Sequence, residues 1–409
     1  MTRHRVAITG IGLASPIGHD LDAVSAALRA GAHGVVTRPD WARVHGLETR
    51  LAAEVRGLPL DGFPRKKVRS MGRVGLLSLY ATERAIDDAG LDRGALGDGR
   101  TGVAYGSTHG SSEALEAFCR KLFTTDSLDG ISGSAYLKFM SHTCVANLAQ
   151  YYGIRGRVVS TCAACVSGSV AIGTGYELVR AGVQDVMLCG GAEEAHFVPA
   201  AVFDTMFATS RGYNDRPDES PRPFDADRDG LVIGEGAGTL VLEPWARAVA
   251  RGARIYAEVL GYGSSCDGTH VTAPSAEGMA RAMRLALEDA GVDASAVEYV
   301  NAHATATDVG DVAESEATRA VLGERVPVSS TKGHTGHTLG ACGALEAAFC
   351  VAVMRDGFLP HTRNLARVDP RCAPLDYVMG APRAARASLV MTNNFAFGGM
   401  NTSLILRAV

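Results

Sequence analysis

The 409-residue sequence predicts an α/β protein built from two similar halves, about residues 1–250 and 251–409. Strand-like runs alternate with helical patterns along the chain, which favours parallel-rich sheets covered by helices. Segments of the first half return in the same order in the second, and no Pro- or Ser-rich linker separates the halves. The composition, 46% hydrophobic and 21% charged, is typical of a globular protein.

The repeat is visible in matched segments of the two halves. AIDDAGLD at 85–92 matches ALEDAGVD at 286–293, and TGIG at 9–12 matches LGYG at 260–263. The spacing of such pairs varies, which loop insertions explain, whereas a solenoid would keep a short fixed period. We therefore expect the two halves to form one layered body.

Charge, hydropathy and cysteine content exclude several classes of protein. The net charge of −4 gives no reason to expect a nucleic-acid partner. No apolar run reaches the roughly 18 residues of a membrane span, and the N-terminal segment lacks the apolar core of a signal peptide. The nine cysteines are scattered through apolar or glycine-rich stretches. These features predict a reduced, cytoplasmic protein without a membrane segment.

Cys165 is the candidate nucleophile. It follows the β-branched run 158–161 and a few small residues, and a helical pattern begins directly after it. Unpaired N–H groups and the helix dipole at such an elbow favour a thiolate, which predicts a thiol pKa lowered to between about 3.5 and 7.5. The alternative is that Cys165 is simply a small buried residue.

Three further polar residues occupy turns that follow strands later in the chain. His303 lies in YVNAHATATDVGD, and Lys332 and His337 lie in VSSTKGHTGHTLGACGALEAA. Ligands of open α/β sheets gather at the carboxyl ends of strands. We therefore expect these turns to share one end of the sheet with Cys165, although a lone histidine is more often structural than catalytic.

The C-terminal segment TNNFAFGGMNTSLIL places Phe395 and Phe397 beside two glycines. One interpretation is a hairpin turn packed with aromatic side chains. The other is a mobile loop whose phenyl ring gates a pocket and whose N–H groups stabilise an oxyanion.

Four other motifs carry weaker signals. Cys162 and Cys165 form a C-x-x-C with no second half, which disfavours a zinc or dithiol site. DADRDG at 225–230 starts like a calcium loop but has no acidic residue at the twelfth position. GIGLAS at 10–15 is a poor dinucleotide fingerprint. RKKVRSMGR at 65–73 is a solvated face, a phosphate-binding patch or a dock for an acidic partner.

Six motifs, in order over nearly the whole chain, together resemble the β-ketoacyl-acyl-carrier-protein synthases of the thiolase superfamily. They are ACVSG, GGAEEA, RPFDADRDGLVIGEGAG, NAHATAT, STKGHTGHTLGACGA and NNFAFGG. The resemblance implies a thiolase-like fold, a duplicated five-layer αβαβα sandwich. It agrees with the internal repeat.

The resemblance also separates this chain from relatives of that family. Thiolases need a second catalytic cysteine where this chain has NNFAFGGMN, chain-starting synthases use Cys-His-Asn, and chain length factors lack the nucleophile. Here Cys165 is present and the third position is His337. The resemblance therefore implies an elongating ketosynthase, which condenses an acyl group held on Cys165 with malonyl carrier protein and releases carbon dioxide.

The catalytic roles follow by resemblance. His303 and His337 donate hydrogen bonds to the malonyl thioester oxygen, and Lys332 orients the site with support from Glu346. Backbone N–H groups of Cys165 and Phe397 form the oxyanion hole, and Phe397 is also the gate.

Binding roles are implied in the same way. The residues concerned are Thr305 and Thr307 for the phosphopantetheine arm, His109 and Phe203 for the acyl pocket, Phe395 in support of the gate, and Lys66 and Arg69 for docking the carrier protein. No cofactor or metal is implied, because the substrates travel on the phosphopantetheine of the acyl carrier protein. Family members are dimers that pair through the strand at 156–161, so we expect a homodimer or a heterodimer with a chain length factor.

Departures from the family pattern refine this expectation. Ala304 and Ala396 stand where the family usually has glycine, which predicts restricted turns beside the site. His109 gives the acyl pocket a polar floor, which hints at a short or unsaturated acyl chain. With NNFAFGG, these features look more like synthases of aryl-polyene and other polyene pathways than primary fatty-acid enzymes. The sequence assigns no role to Cys162 or His334.

Three alternatives stay open. The first is a non-catalytic partner subunit of a ketosynthase heterodimer. The second is a malonyl-carrier-protein decarboxylase or acyl hydrolase that uses the same cysteine, and the distant third is an NAD oxidoreductase.

Overall fold

The computed structural model describes residues 3–409. The strands within this range are β1 Val6–Ala14, β2 Val35–Thr37, β3 Leu51–Ala53, β4 Thr101–Gly106, β5 Val158–Ser160, β6 Val186–Glu193, β7 Ile233–Gly234, β8 Gly236–Pro244, β9 Ala257–Cys266, β10 Tyr299–Asn301, β11 Pro327–Ser329, β12 Phe358–Leu359, β13 Asp376–Tyr377, β14 Arg383–Ala384, β15 Leu389–Ala396 and β16 Met400–Ala408.

The α-helices of the same range are α1 Leu21–Ala30, α2 Arg65–Val68, α3 Arg73–Asp88, α4 Ser112–Thr125, α5 Tyr136–Phe139, α6 Thr143–Tyr152, α7 Ser167–Arg180, α8 Phe197–Thr205, α9 Trp245–Ala250, α10 Ala276–Ala290, α11 Gly310–Leu322, α12 Lys332–Thr335 and α13 Cys342–Asp356. No helix in the described chain is long and apolar enough to span a membrane.

Eleven of the described strands form a single sheet whose strand order repeats between the two halves of the chain. The order is β5-β4-β6-β8-β1 in the first half and β11-β10-β15-β16-β9 in the second, with β13 beyond β11. β1 and β9 meet in the middle of the sheet, where three residue pairs join them. The matched segments of the sequence therefore occupy matched elements. TGIG and LGYG lie in β1 and β9, and AIDDAGLD and ALEDAGVD cover the C-terminal ends of α3 and α10.

The two halves of this sheet form two layers, and helices form the other three. α3 and α6 pack on the outer face of the first half, and α10 and α11 pack on the corresponding face of the second half. α7 and α13 lie between the two halves, where they share an apolar core with α1. This is the duplicated αβαβα sandwich that the resemblance implies, so the predicted fold class is confirmed.

The sheet is mixed, whereas the alternation of strands and helices predicts a parallel-rich one. β5, β4 and β6 are parallel, as are β13, β11, β10 and β15, but the central strands β8, β1, β9 and β16 are antiparallel. β15 and β16 must run antiparallel because only the short turn 397–399 connects them. The turns that carry Cys165, His303 and Lys332 follow β5, β10 and β11, which belong to the outer, parallel parts of the sheet.

The glycines of TGIG and LGYG allow close packing of strand and helix. A methyl group at Gly12 in β1 would overlap the backbone of α3 at Ala81, and one at Gly263 in β9 would overlap the backbone of α10 at Ala282. Both strands also carry a bulge. The N–H groups of Ile11 and Tyr262 there bind aspartates of α3 and α10, at 2.9 and 3.1 Å. The glycines of GIGLAS are thus explained by packing inside β1.

DADRDG is likewise a structural motif. The Asp225 carboxylate accepts the backbone N–H groups of Ala366 and Arg367 at 2.8 and 2.9 Å, and Arg222 lies 3.2 Å from it. The first aspartate of the motif therefore fixes a distant loop of the chain, and this contact gives the motif a structural role.

We expect Gly12→Ala to lower the free energy of unfolding by about 1–3 kcal/mol, because α3 must move away from β1. Gly62→Ala is the control, since a methyl group there meets nothing within 4 Å. Urea denaturation measures both variants. Equal midpoints for Gly12→Ala and wild type would show that the helix and strand are not closely packed.

Candidate active site

Cys165 lies on a tight turn between β5 and α7. Ala164 has a φ of 49°, a strained conformation for a residue with a side chain. The Ser167 hydroxyl fixes the turn, because it accepts the Ala163 N–H at 2.9 Å and donates to the Ala164 carbonyl at 2.6 Å. The turn holds Cys165 in a buried position, and its side chain borders the cavity described below.

The predicted lowering of the Cys165 pKa is wrong. Burial raises the pKa of this thiol to about 12, and the positive charge of Lys332 opposes the shift only in part. α7 begins two residues later, at Ser167, so its N-terminus does not compensate for the loss of water around the sulfur. The thiol therefore requires a base to take its proton.

His337 lies next to the thiol. Its Nε2 is 3.0 Å from Cys165 Sγ, and its backbone is held by bonds to Val232 and Gly234 at 2.7 and 2.8 Å. Gly336, with a φ of 63° and backbone atoms packed around it, makes the turn that precedes His337. Burial lowers the pKa of His337 well below its usual value, so the imidazole is neutral and can accept the thiol proton.

His303 completes the group of reactive side chains. Its ring is perpendicular to that of His337, with 5.1 Å between the ring centroids. Burial, together with the charge of Lys332, lowers the pKa of His303 well below its usual value.

Two buried carboxylates of α11 hold the turn that carries His303. Glu314 accepts the N–H groups of His303 and Ala304 at 2.8 and 2.6 Å, and Asp311 accepts those of Thr305 and Ala306 at 3.0 and 3.1 Å. The sequence interpretation missed both residues. Asp311 ends the motif in which His303 was noticed, and this was the only available signal for it.

Lys332 forms a buried ion pair with Glu346. Its Nζ is 2.6 Å from Glu346 Oε1, and both side chains are at most 3% exposed. Burial works against the charge of Lys332, but Glu346 raises the pKa of the ammonium above its usual value. Lys332 is therefore a fixed positive charge close to Cys165 and His303.

Asn394 and Cys342, which the sequence interpretation did not select, connect these groups. Asn394 Nδ2 lies 2.7 Å from Glu346 Oε2 and 3.5 Å from both His303 Nδ1 and Cys342 Sγ. The Cys342 thiol donates to the carbonyl oxygen of Cys165 at 3.1 Å. A signal for them was present, since both lie inside the quoted motifs.

Two sets of side chains have the spacing of metal ligands. Cys165, His303 and His337 form one set, and His303, Cys342 and Glu346 form the other, with the ligand atoms of each set within 4.8 Å of one another. In the second set, all three acceptors contact the same nitrogen of Asn394. Hydrogen bonding to a single carboxamide thus accounts for their closeness.

A cavity of about 400 Å³ reaches these side chains from the surface. Its lining includes the buried side chains of Cys165, His303 and His337 together with Thr305 and Thr307. The hydroxyls of the two threonines are 3.1 Å apart. The structure therefore brings the residues expected to bind phosphopantetheine into the channel that leads to the thiol.

Phe395 and Phe397 also line this cavity, at the hairpin between β15 and β16. Gly398 and Gly399 make the turn, with φ values of 94° and 74°. Phe397 packs against Phe203 with 5.7 Å between the ring centroids, in the same apolar cluster as Cys165. The hairpin interpretation is therefore correct, and the gating role stays a prediction.

The other residues expected at binding sites, and the two residues without an assigned role, do not line the cavity of the described chain. His109 is absent from its lining in the described chain, and its N–H binds Glu193 at 3.2 Å. Lys66 and Arg69 are exposed on and just after α2. Cys162 is exposed, and His334 is buried with its Nδ1 2.8 Å from the carbonyl oxygen of Ala32.

The backbone at Ala304 and Ala396 has an ordinary conformation. Neither residue has a positive φ, so neither position needs the conformational freedom of glycine. The residue of the first turn with a positive φ is Ala306, at 67°. The restriction of these turns stays a prediction.

A buried thiol beside a neutral imidazole, in the lining of a cavity, is the arrangement expected of a thiol-dependent acyltransferase. Residues 3–248 match the family described as "Beta-ketoacyl synthase, N-terminal domain", and residues 256–366 match "Beta-ketoacyl synthase, C-terminal domain". The chain belongs to the β-ketoacyl synthase family. It is accordingly a ketosynthase, an acyltransferase of fatty-acid or polyketide synthesis, as the sequence predicted.

Named relatives and solved structures agree with this assignment. The chain is 37% identical over 404 residues to "3-oxoacyl-[acyl-carrier-protein] synthase 1" of Haemophilus influenzae, with 98% of each chain covered. It matches a β-ketoacyl synthase from Burkholderia phymatum STM815 with a TM-score of 0.96 and 52% identity, over 99% of this chain and 100% of that one. "The ishigamide ketosynthase/chain length factor" matches with a TM-score of 0.91 and 34% identity over 100% of both chains.

We expect Glu346→Leu to lower the free energy of unfolding by about 3–5 kcal/mol, because it leaves the buried Lys332 unpaired. Replacing both partners, as Lys332→Met with Glu346→Leu, should restore most of that loss. Urea denaturation measures the variants, with the exposed Arg284–Glu277 pair as reference, where Arg284→Ala should cost less than about 1 kcal/mol. A Glu346→Leu effect no larger than the reference would contradict the assigned ion pair.

Proposed function

We propose that this chain extends acyl groups by decarboxylative condensation, with Cys165 as the nucleophile. The 3.0 Å contact between Cys165 Sγ and His337 Nε2, at the end of a cavity that His303 also lines, carries the proposal. Thioester exchange followed by decarboxylation needs a thiol, an adjacent base and donors for a developing oxyanion.

The first half-reaction moves the acyl group onto the enzyme. The Cys165 thiol passes its proton to His337 Nε2, and the sulfur attacks the thioester carbonyl of an acyl carrier protein. The bond to the pantetheine sulfur breaks, and that sulfur leaves as a thiol after taking the proton from His337. Backbone N–H groups of Cys165 and Phe397 stabilise the tetrahedral oxyanion.

The second half-reaction consumes malonyl carrier protein. The bond to the malonyl carboxylate breaks, carbon dioxide leaves, and the electron pair enters a thioester enolate whose oxygen accepts N–H bonds from His303 and His337. The enolate carbon attacks the acyl–Cys165 thioester, and the Cys165 sulfur leaves as a thiolate. One proton taken up from solvent through His337 restores the Cys165 thiol. The product is a β-ketoacyl carrier protein two carbons longer, and no group other than the pantetheine of the carrier is needed.

The cavity fits this order of events. Thr305 and Thr307 bind the pantetheine arm, and Lys332, supported by Glu346, keeps the local potential positive near the enolate. Phe397, on its glycine hinge and with Phe395 beside it, moves away from Phe203 to admit the acyl chain and returns before malonyl enters. The packing of Phe397 against Phe203 supports this gating role.

The proposal also covers the identity of the acyl group and of the second subunit. We propose a short or unsaturated acyl chain of a polyene-type polyketide pathway, with Phe203, which packs against Phe397, at the acyl side. The second subunit is another copy or a chain length factor, bound along the short edge strand β5, where Val158 is 46% exposed. The solved relative named "The ishigamide ketosynthase/chain length factor" supports a partner of this kind. We place the reaction in the cytoplasm, in keeping with nine free thiols in the described residues.

Intact-mass analysis tests the condensation. Wild type mixed with acyl carrier protein should gain one acyl group and lose it as β-ketoacyl carrier protein forms after malonyl carrier protein is added. Cys165→Ala should gain none, because no other thiol lines the cavity among residues 3–409, whereas Cys162→Ala, which removes an exposed thiol, should behave as wild type. Absence of the adduct, with either candidate partner subunit present, would support a non-catalytic subunit, and carbon dioxide release without a longer product would support a decarboxylase.

Reversal of charge at the basic run tests carrier docking. We expect Lys66→Glu with Arg69→Glu to raise the KM for acyl carrier protein about tenfold at low salt, with kcat little changed and the effect reduced at high salt. Arg281→Glu, an exposed position on α10, serves as the control. An equal rise in KM for the control would show that only net charge matters.

A further inference from the structure

We propose that Asn394 is a positioning residue that holds His303 in the tautomer with its proton on Nε2. The inference rests on the proposed function, because this tautomer presents an N–H donor to the malonyl thioester in the cavity. Asn394 acts through His303 and is not assigned any contact with substrate.

The surroundings of Asn394 fix the orientation of its carboxamide. The side chain is fully buried, and Nδ2 is 2.7 Å from Glu346 Oε2. Rotation of the amide by 180° would place Oδ1 against this carboxylate, whose charge Lys332 maintains at 2.6 Å. The N–H groups of Asn394 therefore face Glu346, and the oxygen faces away.

The same nitrogen then sets the proton position on His303. Its second N–H is shared between His303 Nδ1 and Cys342 Sγ, both at 3.5 Å. Cys342 uses its own hydrogen on the Cys165 carbonyl oxygen, so its sulfur is an acceptor here. An N–H that faces Nδ1 favours the imidazole whose lone pair is at Nδ1 and whose proton is at Nε2.

His337 is held differently. Its Nε2 faces the Cys165 thiol, and its Nδ1 is buried without a hydrogen-bond partner in the described chain. His337 is therefore free to change its protonated nitrogen when it takes and returns the thiol proton. His303, fixed by Asn394, is a constant donor, and the two histidines have different tasks.

Asn394→Asp tests this assignment, because it keeps the shape of the side chain and replaces the donor by an acceptor. We expect carbon dioxide release from malonyl carrier protein to slow about 100-fold, while acyl transfer to Cys165 changes by less than about threefold. Asn393→Asp is the matched control. Asn393 is also fully buried, its Oδ1 accepts from Ser403 at 2.6 Å, and its Nδ2 has no partner in the described chain.

The outcomes distinguish a positioning role of Asn394 from a purely structural role. A parallel loss of acyl transfer and decarboxylation, or an equal loss in Asn393→Asp, would mean that Asn394 is merely structural and would overturn the proposal. Undiminished decarboxylation in Asn394→Asp would overturn it as well. A wild-type protein that acylates Cys165 but releases no carbon dioxide would instead refute the proposed function.

A direct measurement on wild type covers the case in which Asn394→Asp does not fold. Spectra of ¹⁵N-histidine-labelled protein, with His303→Ala to assign the resonance, report which ring nitrogen is protonated. A protonated Nε2 and unprotonated Nδ1 support the proposal, and the reverse pattern overturns it.

Discussion

The buried ion pair between Lys332 and Glu346 joins three elements of the second half of the chain. Lys332 lies on α12, Glu346 lies on the central helix α13, and the second oxygen of Glu346 binds Asn394 on β15. Neither charge could remain in this apolar layer alone, because the cost of removing an unpaired charge from water is several kcal/mol. Each partner is therefore fixed by the other. α13 extends the connection to the first half, since its first residue, Cys342, donates to the carbonyl oxygen of Cys165.

The duplicated scaffold gives the two halves similar turns with different chemistry. The turn after β4 is held by Glu193, which accepts the N–H groups of Thr108 and His109, and the matching turn after β10 is held by Glu314. The first of these turns contributes no cavity-lining residue among the described positions, whereas the second presents His303. The supports differ in origin, because Glu193 ends strand β6 whereas Glu314 lies on helix α11. The two halves thus hold turns at matching positions with carboxylates from different elements.

The sequence was sufficient to select reactive residues that lie in a turn directly after a strand. Cys165, His303, Lys332 and His337 could be selected because they are reactive residues at such turns, and the structure brings all four together. Asn394 and Cys342 lie in the quoted motifs, but their partners lie in distant segments, so the sequence did not show what they contact. Glu314 lies on a helix and contacts the His303 turn through its folded position. The Cys165 pKa was mispredicted for a related reason. The helix N-terminus is a local feature visible in sequence, whereas burial, which dominates, is a property of the assembled layers.

Burial raises the pKa of the thiol and lowers those of the two imidazoles. Before reaction these three groups are therefore neutral, and the charges at the site are those of the Lys332–Glu346 ion pair. The pKa of Cys165 rises, those of His303 and His337 fall, and Lys332 is matched by Glu346. Every charge that then appears, on sulfur, on the tetrahedral oxygen or on the enolate, develops in a region of low dielectric. Fixed N–H donors and the nearby ammonium have a much larger effect there than they would in water. The packing of Phe397 against Phe203, in the apolar cluster that contains Cys165, contributes to this low dielectric, because a site that admitted water would lose the advantage.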